Sequence, residues 1–227
     1  MKSGLKKGLS IATASLVGLT GLVGVMHMPF ARSLLMKVGG CPITQATPEQ
    51  LEQAQNASAA VRVAQANGEA PTKPALGFVL DKTTPDDVHA WTDRKGLTCS
   101  DVVGGAVITC LNVPAATIGQ TGPDFTELQF TFHPNPRTLR VVSTFRSHLT
   151  RQDTLALMHT RDAELSRELG KPTDIHGQPD LQSQASAAYL LTYNFKDYLA
   201  DEQATELPSG FALAEHYMSQ AADERKN

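Results

Sequence analysis

Two cysteines placed at equal distances from a pair of glycines set the tightest constraint on this 227-residue chain. In Leu97-Thr98-Cys99-Ser100-Asp101-Val102-Val103-Gly104-Gly105-Ala106-Val107-Ile108-Thr109-Cys110-Leu111, two β-branched runs flank Gly104-Gly105. Such a segment reads as a β-hairpin, because glycine takes the positive φ that a two-residue turn demands. Counting outward from the turn, Val103 faces Ala106 and Cys99 faces Cys110. Facing residues on antiparallel strands lie roughly 4.5–5.5 Å apart at Cα, within disulfide reach. A Cys99–Cys110 bridge is therefore expected, and with it an oxidising compartment. Two reduced core cysteines in a cytosolic protein are the alternative.

The rest of the body continues in short alternating runs. Leu128, Phe130 and Phe132 alternate with Glu127, Gln129, Thr131 and His133. Pro134-Asn135-Pro136 turns the chain, and Leu139, Val141, Ser143 and Phe145 alternate back, which predicts a second hairpin with one wet face. Tyr189, Leu191, Tyr193 and Phe195 predict a further strand. A weaker one is expected over Tyr198–Leu207, and a last one from Phe211 to Tyr217 after Pro208-Ser209-Gly210. Helices announce themselves by their caps. Thr84-Pro85-Asp86-Asp87 opens one that Gly96 ends, and Thr150-Arg151-Gln152-Asp153 opens a longer one that stops at Gly170-Lys171-Pro172. Val88 and Trp91 share a face of the first, which marks Trp91 as core.

Read in blocks, a capped helix and strands from Thr84 to Phe145 are followed by a capped helix and strands from Thr150 to Tyr217. This predicts an α+β fold of helix-then-antiparallel-sheet modules, arranged as a degenerate tandem repeat over residues 76–217. The run Leu76-Gly77-Phe78 ahead of Thr84-Pro85-Asp86-Asp87-Val88, with Leu169-Gly170-Lys171-Pro172 before the later strands, resembles small envelope modules of the BamE (SmpA/OmlA) type and the β-lactamase-inhibitor-protein superfamily. The resemblance implies helices packed on antiparallel sheets, sometimes in tandem, and a role in binding or assembly.

Upstream, Lys2, Lys6 and Lys7 precede the uncharged 19-residue run Gly8 to Met26. As a helix it would span about 28 Å, the thickness of a bilayer core. Cuts after Gly24 or Ala31 would put Leu22 or Pro29 where a signal peptidase wants a small residue, so residues 1–37 are expected to be an uncleaved signal anchor, with a cleaved signal peptide as the alternative. The basic flank then stays in the cytoplasm and the body lies outside, periplasmic or extracellular. Val38-Gly39-Gly40-Cys41 resembles a lipobox, which makes Cys41 a candidate lipid-attachment residue; a plain free cysteine is the alternative. Thr47-Pro48-Glu49-Gln50 starts an Ala/Gln-rich helix to about Ala66, and Pro71 and Pro74 extend the connector, so residues 38–75 read as a stalk. Residues 218–227 read as a polar tail.

Charge narrows the function. The first 37 residues hold five basic residues and no acid, leaving fifteen basic against twenty-three acidic residues in the remainder, net −8. A body so acidic is poorly suited to phosphate backbones, so no nucleic-acid partner is expected. His89, His133, His148, His159 and His176 show no metal-ligand spacing, and no nucleophile elbow, P-loop or dinucleotide fingerprint occurs. Neither a cofactor, a metal nor a catalytic residue is assigned. The expected function is a membrane-tethered extracytoplasmic module that binds or helps assemble another envelope protein without catalysis. A periplasmic inhibitor or sensor using the wet sheet face is one alternative, and a hydrolase or isomerase with a dispersed site is another. The expected partner surface is an exposed edge strand, Tyr198–Leu207, whose Asp201, Glu202 and Glu206 interrupt its hydrophobicity beside Tyr198.

Overall fold

The computed structural model describes residues 47–66, 68–177, 181 and 189–220. Thr47–Asn227 forms one compact unit. The other, Met1–Ala46, lies outside the described residues. The expected anchor, Cys41 and most of the expected polar tail fall there or in the undescribed C-terminal residues.

Three threonine caps place three helices. Each of α1 (Pro48–Ala64), α2 (Pro85–Lys95) and α3 (Arg151–Leu169) has its N-cap hydroxyl, on Thr47, Thr84 or Thr150, accepting from the backbone N–H three residues on. In α1 and α2, Gln50 and Asp87 return the bond, completing capping boxes. Eight strands form, seven of them on the expected runs: β1 (Cys99–Val102), β2 (Val107–Val113), β3 (Phe125–Phe132), β4 (Leu139–Leu149), β5 (Asp174–Gly177), β6 (Tyr189–Asn194), β7 (Tyr198–Leu207) and β8 (Gly210–Ser219). The strand β5 and a short 3-10 turn at Ala115–Ile118 carry no sequence signal of their own.

All eight strands form one antiparallel sheet in the order β1-β2-β3-β4-β8-β7-β6-β5. Each half contributes four consecutive strands, and the halves meet where β4 pairs with β8 along Val141↔Met218 to Arg146↔Leu213. Helices α2 and α3 cover one face. Val88 and Trp91 of α2 meet Phe78 and Phe130, with ring centroids 5.0 Å apart for Phe78–Trp91 and 4.8 Å for Phe78–Phe130. α3 lies against β8 and β7 and buries Met158, Leu165 and Leu169.

The β1–β2 register is the expected one, Cys99↔Cys110. The turn is longer, because pairing stops at Val102↔Val107 and Val103, Gly104 and Gly105 all take positive φ. Three expectations are corrected. First, the connector does not stand off as a stalk. Pro48 lies against the turn at Gly104, while Arg62 donates to Gln220 Oε1 at 3.1 Å and its carbonyl accepts from Asn194 Nδ2 at 2.9 Å. The 17 residues of α1 span about 25 Å, close to the five strand spacings of about 4.8 Å from β2 to β6. The helix therefore crosses the sheet on the face opposite α2 and α3. Beyond it, Lys196 N–H donates to Gly68 O, Ala70 N–H to Asp197, and Lys73 pairs with Asp197 at 2.9 Å.

Second, β4 has no wet face. Leu128 and Phe130 pair with Thr144 and Val142, so β4 sets Val142, Thr144 and Arg146 on the helix side, all buried. A bulge beside Thr131 and Phe132 brings Leu139, paired with Phe132, to the helix side as well, whereas Val141 and Phe145 are buried on the opposite face. Third, β7 is no edge: it pairs with β8 along its whole length and with β6 from Leu199 to Ala204. The edges of the sheet are β1 and β5.

Candidate functional site

The chemically richest place in the described residues lies on the helix side of the β4–β8 seam. The register puts Thr144 opposite Glu215 and Glu215 opposite Glu202, so three adjacent strands present polar side chains at one level beneath α3. Arg146, Glu202 and Glu215 are essentially inaccessible to solvent. A buried charge persists only when paired and hydrogen-bonded. Arg146 meets that demand: Nη1 donates to Glu215 Oε1 at 3.1 Å, Nε to Pro123 O at 3.0 Å and Nη2 to Gln120 Oε1 at 2.6 Å. Its guanidinium also stacks on Phe125, 3.7 Å from the ring centroid.

Glu215 is equally well supplied. Tyr217 Oη donates to its Oε2 at 2.7 Å, and Arg161 of α3 brings Nε to 3.3 Å of the same oxygen while also donating to Tyr217 Oη and Glu164. Burial works against the Arg161 charge, yet Tyr217 and Glu215 outweigh it and hold its pKa above the ordinary arginine value. Burial lowers Arg146, with Glu215 opposing. Glu202 has none of this help, since neither of its carboxyl oxygens has a hydrogen-bond partner. Burial, reinforced by the facing Glu215 and by Asp162, pushes its pKa well above the carboxylate range. Burial likewise raises Tyr193 to about 12, where its hydroxyl meets Ser166 and Asp162.

Neighbouring buried carboxyls are raw material for acid–base chemistry. Here the pair is sealed. A cleft of about 260 Å³ opens nearby between α3 and the loop after the 3-10 turn, lined by Gln120, Gly122, Asp153, Leu157, Arg161 and Glu164. It reaches Arg161, and Glu202 and Glu215 do not line it. What the arrangement does is clamp: Arg146, Glu215, Tyr217 and Arg161 tie β4 and β8 to each other and to α3. No group of three or more potential metal ligands comes together among the described residues, and none of their helices is long and apolar enough to cross a membrane.

The expected site residues separate. Cys99 and Cys110 are joined, with a Cα–Cα distance of 4.1 Å, on the helix face beside edge strand β1. The four residues assigned to a partner surface do not form one. Tyr198 is buried and donates to Pro74 O at 2.6 Å; Glu202 belongs to the sealed cluster. Asp201 is on the opposite face, 2.6 Å from His216 Nδ1, and Glu206 is exposed near the end of the strand. A signal for the cluster was present in Phe211-Leu213-Glu215-Tyr217, where an acid occupies the register of large apolar residues. No family model matches the chain, and no curated protein or solved structure matches it either.

Proposed function

We propose that this protein is a membrane-tethered extracytoplasmic module that binds or helps assemble another envelope protein and carries out no catalysis. The observation that carries the reading is the Cys99–Cys110 disulfide, because such bridges persist in oxidising compartments and here it pins the edge strand of the sheet. A basic start and an apolar run from Gly8 to Met26 supply the tether. The two αββββ blocks are read as a degenerate tandem repeat, supported by a strand order that runs inward from β1 and from β5 to a shared seam. With β7 interior, the surfaces open to strand addition are β1 and β5.

Thiol counting on denatured, non-reduced protein taken from its native compartment tests the placement. At most one alkylatable thiol, Cys41, is expected; three would overturn both the bridge and the oxidising location. In-cell crosslinking then tests the binding role. A reproducible envelope-protein partner is the expected result, whereas no partner together with turnover of a small molecule by the purified chain would contradict it.

A further inference from the structure

The edge strand β5 is self-complementary. All four of its residues are exposed, Ile175 at 53%, and among the described residues no strand neighbours its outward side. Its register with β6 places Ile175 on the helix face with Leu191 and Tyr193, whereas Asp174 and His176 share the opposite face, 2.8 Å apart. An antiparallel copy of this strand, related by a two-fold axis through Ile175, sets Ile175 against Ile175 and each Asp174 against the other chain's His176. The result is an apolar pair on one face and a ring of two acids and two imidazoles on the other. Edge strands that guard against pairing carry like charges that repel their own copy; β5 carries a carboxylate and an imidazole, able to hydrogen-bond, at the two positions an antiparallel copy exchanges.

The geometry points to β5 as a homotypic docking strand, through which a second copy of this chain pairs edge to edge and continues the sheet across a two-fold axis. This goes beyond the binding-module reading and does not depend on it. The other edge lacks the property. In β1 an antiparallel copy would set Asp101 against Cys99, and Asp101 is already 3.2 Å from His89. A contact of about four residues a side is small beside a standard interface, so the pairing is expected to be weak and concentration-dependent.

The test uses the full chain with Cys41→Ser, so that the native disulfide is the sole other cysteine pair. Facing Cα atoms come within disulfide reach, whereas Asp174 lies about 8 Å from its own symmetry mate, outside that reach. Ile175→Cys is therefore expected to form a 175–175 disulfide dimer under mild oxidation, and the equally exposed Asp174→Cys is not. By sedimentation equilibrium, Asp174→Lys or His176→Glu alone should weaken self-association about tenfold, because the two-fold axis repeats each broken pair, and the double swap should restore it. Equal crosslinking at both positions, failure of the double swap to restore association, or a wild-type chain monomeric at every concentration would overturn the proposal. None of these outcomes bears on whether the chain binds a different envelope protein.

Discussion

Glu202 and Glu215 face each other across β7 and β8, yet their surroundings differ. Glu215 is held by Arg146, Tyr217 and Arg161, whereas neither carboxyl oxygen of Glu202 has a hydrogen-bond partner. The sign of the consequence follows from linkage. A folded pKa held above the unfolded value contributes stability that is complete below the unfolded pKa, near 4.3, and is lost as pH rises toward the folded pKa. Glu202 therefore costs stability progressively above about pH 4.5, with a slope of up to about 1.4 kcal/mol per pH unit. Glu202→Gln removes the titration. Urea denaturation from pH 5 to 8 should show the variant gaining on the wild type as pH rises; parallel curves would contradict the assignment. At this scale the sequence is only half legible. Glu215 among Phe211, Leu213 and Tyr217 signals a buried charge, but Glu202 sits between alanines with an exposed-looking Asp201 beside it. That composition suits a solvent edge as well as an interior strand.

At the level of elements, local chemistry is read well wherever it is local. The three threonine caps and the Gly104-Gly105 hairpin are dictated by hydrogen bonds and φ preferences within a few residues, and helix starts and strand register emerge as expected. The edge assignment of β7 fails for a different reason: it is the middle strand of a meander, paired with its sequence neighbours β6 and β8 on both sides, and no periodicity within Tyr198–Leu207 tells one open side from none. The same holds for α1, whose small hydrophobic face suggests a spacer although its ends are hydrogen-bonded or packed onto the sheet. One residue guards the meeting of β7, β8 and β4. Gly210 has φ +125, and a Cβ there would lie 2.7 Å from the Leu149 carbonyl oxygen, a backbone atom that cannot swing aside. Gly210→Ala should cost about 2–4 kcal/mol in chemical denaturation, combining backbone strain with overpacking. A loss within 0.5 kcal/mol, the range of ordinary surface substitutions, would show that the seam is looser than described.

For the molecule as a whole, repeated cap-helix-strand order reads residues 76–217 as one α+β unit of two blocks, but no local signal says which strands join them. The blocks join through the β4–β8 ladder and the Arg146–Glu215–Arg161 clamp, which make one sheet of eight strands out of two sets of four. Such a molecule should unfold cooperatively, with its most protected amides at the seam and its least protected at the rims. Hydrogen exchange of the full chain, read by mass spectrometry, tests this most directly. The account predicts that peptides from β4, β7 and β8 exchange together and slowest, and that β1 and β5 exchange first. Fast exchange across Tyr198–Leu207, or two halves that open with separate free energies, would contradict it.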